Sequence, residues 1–109
     1  MRALVLVVAL AWSLVACASS PSGPSCADPA PLTGKFDPRA PDYIVLFHDG
    51  VDSVAETARL EQAYGFTASR VFTTDLDGFT ANLNDDIRDS LRCEPTVQFV
   101  EHDGLVDVL

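Results

Sequence analysis

Hydrophobic and polar positions divide the chain into three stretches with different patterns. From Ala3 to Ala16 nearly every residue is apolar, with Trp12 and Ser13 as mild exceptions. Residues 18–41 follow neither a period of 2 nor one of 3.6, so they predict no buried face. They hold six prolines (Pro21, Pro24, Pro29, Pro31, Pro38, Pro41) mixed with Ser19, Ser20, Ser22 and Ser25, the composition of a semi-extended spacer. From Asp42 onward, apolar segments alternate with turn signals, as in a folded domain.

Within that domain, Tyr43 to Phe47 is a continuous β-branched, apolar and aromatic run that predicts a central strand, broken by Asp49-Gly50. Ser53 with Glu56 three residues on reads as a capping box that opens a helix to about Tyr64. Gly65 stands where a left-handed C-cap is needed, with Phe66 beyond it. Ala68 to Thr74 and Gly78 to Leu83 predict a hairpin around Asp75-Leu76-Asp77. In its second arm Phe79, Ala81 and Leu83 share one apolar face. Asn84 is a good N-cap for a second helix, with Asp85 and Asp86 early and Arg88 and Arg92 later, as the helix dipole favours. Ile87 and Leu91, four apart, are its inward residues, Pro95 ends it, and Val97 to Val100 is the last strand. The order βαββαβ predicts an α+β domain: an antiparallel sheet with two helices on one face and the other face bare. Function is expected on the bare face, whose candidates are Phe72, Val100 and one side of the first strand.

Composition narrows the chemistry. Sixteen acidic against seven basic residues give a formal charge of -9, which repels phosphate backbones and argues against nucleic acid as partner. With two histidines and three cysteines, the stock of catalytic side chains is thin and predicts no enzyme. His48 ends the first strand and His102 the last; these strands are antiparallel neighbours, so the two rings lie at opposite ends of the sheet and share no metal. No serine sits in a GxSxG context, and no cofactor is implied.

The N-terminal run is too short to span a bilayer. Fourteen helical residues reach about 21 Å against a hydrocarbon core of about 30 Å, so a cleaved export signal over residues 1–16 is expected. Its end, Leu14-Val15-Ala16-Cys17, resembles the lipobox of bacterial lipoproteins, which implies that Cys17 carries lipid and begins a tether over residues 17–41. Ala18, in place of Asp, argues by the same resemblance against inner-membrane retention. The implied location is the cell envelope, with the outer membrane favoured, or the medium. If Cys17 is lipidated, Cys26 and Cys93 remain either as a disulfide in an oxidising compartment or as two free thiols.

Three segments carry a second resemblance: Tyr43-Ile-Val-Leu-Phe-His-Asp-Gly50, Gly78-Phe-Thr-Ala-Asn-Leu83 and Val97-Gln-Phe-Val-Glu-His-Asp-Gly104. Over residues 42–109 they are similar to the propeptide domains of subtilisin-type serine proteases and to the stand-alone inhibitors of the same type. The resemblance implies a ferredoxin-like fold whose open sheet docks on two helices of the protease. It also implies that Glu101 and Asp103 meet the N-termini of those helices, where unpaired N–H groups carry partial positive charge. Leu109, six residues after Asp103, then falls at the position entering the primary specificity pocket, with Val106, Asp107 and Val108 before it and Val106 at the P4 position. The implied partner is a subtilisin-like protease bound by a monomeric inhibitor acting in trans. The alternatives are a lipoprotein that binds another envelope protein, and a chaperone that assists a protease to fold.

Overall fold

A computed structural model describes residues 23–104; residues 1–16, expected as an export signal, Cys17 and Val106 to Leu109 lie outside the described residues. The element order is β1 (Leu32–Thr33), β2 (Asp42–Phe47), α1 (Ser53–Tyr64), β3 (Ala68–Phe72), β4 (Gly78–Asn82), α2 (Asp85–Leu91) and β5 (Val97–His102). The strands form one sheet in the order β1-β5-β2-β4-β3. All neighbours are antiparallel except β1, which runs parallel to β5. The result is a mixed sheet with two helices, compatible with a ferredoxin-like α+β fold.

The edge strand refines two expectations. The sheet is mixed, with β1 parallel at its edge, and Leu32–Thr33, within the 17–41 tether, belongs to it. Ala30 is buried, and Leu32 packs on the core. A strand of two residues is too short to display a period, and proline is tolerated at a sheet edge, where its missing N–H costs no ladder bond. The pairing of Cys26 with Cys93 is observed, with the Cα atoms 5.7 Å apart.

One face of the sheet carries the core. Rows of register partners place Phe79, Val45, Val100 and Leu32 side by side, and Ala81, Tyr43 and His102 in the next row. Leu60 of α1 and Leu91 of α2 close over this face, each fully buried, with Ile87 packed alongside. Phe66 stacks on Phe79 at 5.2 Å between ring centroids. Gly65 caps α1 in the left-handed region at φ 75°, as its position predicts.

The start of α1 is shifted by one residue. Asp52, not Ser53, is the N-cap, and its carboxylate accepts from the Ala55 N–H. The capping box fails because the Ser53 hydroxyl turns to the Asp77 carboxylate, 3.2 Å away across the sheet end, while Glu56 pairs with Arg59. Asn84 does cap α2, accepting from the Ile87 N–H at 2.8 Å.

Candidate functional site

The face opposite the helices is uncovered among the described residues, and two rows of side chains cross it. Phe72, Gly78, Leu46 and Phe99 form one row, and Arg70, Thr80, Ile44, Glu101 and Thr33 form the next. Residues directly opposite in a ladder share a face, and none of these packs in the core cluster. Ile44, Leu46, Phe72 and Phe99 therefore make an apolar patch on three strands, β2, β3 and β5. Leu46 is only 9% exposed despite its open face, because it leans over Gly78. A Cβ at Gly78 would stand 3.0 Å from the Leu46 Cδ2 and collide with the Val45 carbonyl oxygen.

Phe72 lies where it is expected, but Val100 does not. It is fully buried on the helix side, opposite Val45. The cause is a β-bulge: Leu46 faces Phe99 and Phe47 faces Val97, so one step on β2 matches two on β5. Gln98 is the extra residue, and it moves Phe99 to the open face and Val100 to the core. Strict alternation from Val97 has the opposite phase, which is why Phe99 escapes a reading by period alone.

Glu101 sits at the rim of the patch on β5, half-buried and opposite Thr33. Asp103 follows the strand, and its backbone N–H donates to the Asp42 carbonyl at 2.9 Å. The alternation brings it to the side of Glu101. Among the described residues neither carboxylate has an ion pair or a hydrogen-bonded side-chain partner. Two acids thus stand unpaired beside an apolar face, with Arg70 at the far end of the Glu101 row. This arrangement suits a partner that offers apolar surface and donors of positive polarity.

Between Glu101 and Asp103, His102 turns the other way. Its ring lies 4.9 Å from Tyr43 and 6.0 Å, edge-on, from Phe36. Arg88, Asp85 and these rings line a cavity of about 280 Å³. Arg88 donates to the Tyr43 hydroxyl at 3.1 Å and pairs with Asp85 and Asp89, so its charge is already matched. Burial alone would raise the Asp89 carboxyl, but hydrogen bonds and charge from Arg88 and then Arg92 hold it below its usual range. This network ties α2 to the sheet and leaves the open face free of it.

His48 lies at the other end of the sheet, its N–H donating to the Thr96 carbonyl at 2.9 Å, so the two histidines are separated as expected. Among the described residues no group of three or more His, Cys, Asp and Glu is placed to hold a metal ion. No helix of the described residues is long and apolar enough to cross a membrane. Ile44, Leu46, Phe99 and the strand at Thr33 complete a surface of which sequence patterning marks only part. Comparison with protein-family models finds no match for the chain, and neither does a search of curated proteins.

Proposed function

We propose that the protein inhibits subtilisin-like serine proteases. It docks the open sheet face on the enzyme and lays Val106, Asp107, Val108 and Leu109 in the substrate cleft as a cleaved product would lie. The observation that carries this reading is the juxtaposition of the patch Ile44, Leu46, Phe72 and Phe99 with the carboxylates Glu101 and Asp103, uncovered and unpaired among the described residues. Apolar burial supplies the bulk of an association, and the acids suit helix N-termini on the enzyme. The resemblance of residues 42–109 to protease propeptides supplies the partner class.

On the same reading the protein is exported, its lipid on Cys17 anchors it to the cell envelope, and it acts as a monomer without a cofactor. The Cys26–Cys93 bridge suits an oxidising compartment. Cys17→Ser should abolish incorporation of labelled fatty acid; label persisting on the variant excludes the lipid site.

The decisive experiment adds the purified soluble chain from Ala18 onward, bridge intact, to a panel of subtilisin-like enzymes with a peptide substrate. Micromolar protein should suppress at least one of them competitively. Full activity of every enzyme overturns the reading. Faster refolding of a protease made without its propeptide, in the absence of inhibition, would assign the chaperone role instead.

A further inference from the structure

We propose that the Cys26–Cys93 bridge is a redox latch on the docking end of the sheet, opened by an external dithiol, and that opening it frees the strap of residues 26–36 from β5. The link to docking rests on the inhibitor reading; release of the strap does not.

A continuous line of contacts runs from the bridge to the unpaired acids. Beyond Cys26, Ala30 donates its N–H to the Arg92 carbonyl at 2.7 Å, and the Pro31 carbonyl accepts from the Val100 N–H at 2.9 Å. Leu32 lies opposite Val100, and Thr33 opposite Glu101. Gly34 then passes so close to β5, at φ 80°, that a Cβ would stand 3.1 Å from the His102 carbonyl oxygen and 3.3 Å from the Glu101 Cγ. Phe36 meets the His102 ring edge-on. The strap is the outer wall of Glu101 and His102.

Its non-covalent hold is local: beside the two hydrogen bonds between Ala30 and Arg92, it rests on one short edge strand. β1 is two residues long, and within residues 26–36 only Ala30 is buried. Few buried contacts and exposed backbone bonds mark a segment that opens locally. The bridge closes a separation of 67 residues, so it is the bond that keeps the strap's end near its dock. Both cysteines are partly exposed and line a groove of about 500 Å³ with His48 and Arg92, the face on which a reductant would approach.

The chemistry balances with a dithiol as co-reactant. One of its thiolates attacks a bridge sulfur and forms a mixed disulfide; its second thiolate then displaces the remaining cysteine. The dithiol leaves as its own disulfide, oxidised by two electrons, and Cys26 and Cys93 each become a thiol. The Val100 N–H loses its partner on the sheet edge, and Glu101 loses its wall.

The test compares the soluble chain from Ala18 onward before and after dithiothreitol, by amide hydrogen exchange and by inhibition of a sensitive subtilisin-like protease. Reduction should speed exchange at Ala30 and Val100 at least tenfold, reversibly on reoxidation, while Val45 and Phe79 stay protected. Inhibition should weaken at least tenfold. A Cys26→Ser, Cys93→Ser double variant should match the reduced chain and ignore dithiothreitol. Unchanged exchange at both amides overturns the latch, and so does loss of protection throughout the sheet, which would make the bridge a global staple. Strap release with equal inhibition by both forms overturns the link to docking. Absence of inhibition by either form overturns the inhibitor reading and that link together, and the exchange rates then decide strap release alone.

Discussion

Ala30 and Arg92 hold each other twice: the Ala30 N–H donates to the Arg92 carbonyl at 2.7 Å, and the Arg92 Nε donates back to the Ala30 carbonyl at 2.8 Å. The same guanidinium reaches Asp89 at 3.2 Å. One side chain at the end of α2 thereby fastens the strap and balances a carboxylate that is 6% exposed.

Arg92→Met keeps the apolar stem and removes both polar contacts. It should cost about 1–3 kcal/mol, the range for leaving buried polar groups short of a partner. The shift of the urea midpoint at constant slope measures it; a change under about 0.5 kcal/mol would mean that the clamp is idle.

Acid should expose the Asp89 network. Its folded-state pKa lies below the ordinary value, so the unfolded chain binds the proton more readily. The resulting stability is complete above the unfolded pKa of about 3.9 and is lost as pH falls through the folded value. Unfolding midpoints between pH 7 and pH 2 should drop in that acid window. Asp89→Asn should be less stable at pH 7 and should flatten the acid limb by about one proton.

Gly78→Val places a branched side chain where even a Cβ meets the Val45 carbonyl and Leu46. Because backbone must yield, the expected loss is about 1–3 kcal/mol or more, as in overpacked cores. Thermal unfolding tests this, and near-wild-type stability would show that β4 can shift without cost.

On the proposed inhibitor reading, docking divides into three separable contributions. Phe99→Glu, on the half-exposed open face, should change stability little yet weaken inhibition at least tenfold. Glu101→Ala and Asp103→Ala should each cost up to about 1–2 kcal/mol of binding, as charge–dipole contacts do when partly buried. Removing Val108 and Leu109 should weaken binding by a factor between about ten and several hundred, since burying a leucine side chain contributes about 1.5–3 kcal/mol and about 1.4 kcal/mol is one decade. Inhibition constants, with circular dichroism confirming the fold, distinguish these routes. An unchanged constant on tail removal would confine the contact to the sheet.

Much of this architecture was legible in local chemistry. The β-branched run Tyr43 to Phe47, the cap at Asn84, the left-handed turn at Gly65 and the alternation of Phe79 with Ala81 are short-range signals. Each predicts its element because backbone sterics and capping act within a few residues. The order of those elements is enough to imply one covered and one bare face. Three features depended on residues distant in sequence. The bulge at Gln98 arises from pairing with β2 and reverses the phase of β5, sending Val100 inward and Phe99 outward. The segment Leu32–Thr33 is too short to have a period of its own, and it becomes a strand because β5 presents an open edge while the Ala30–Arg92 hydrogen bonds and the Cys26–Cys93 bridge hold the chain beside it. The N-cap passed from Ser53 to Asp52 because Asp77, 24 residues away, takes up the serine hydroxyl. Local propensity determines which elements form, whereas register, edge pairing and long-range hydrogen bonds decide which side chains those elements show to a partner.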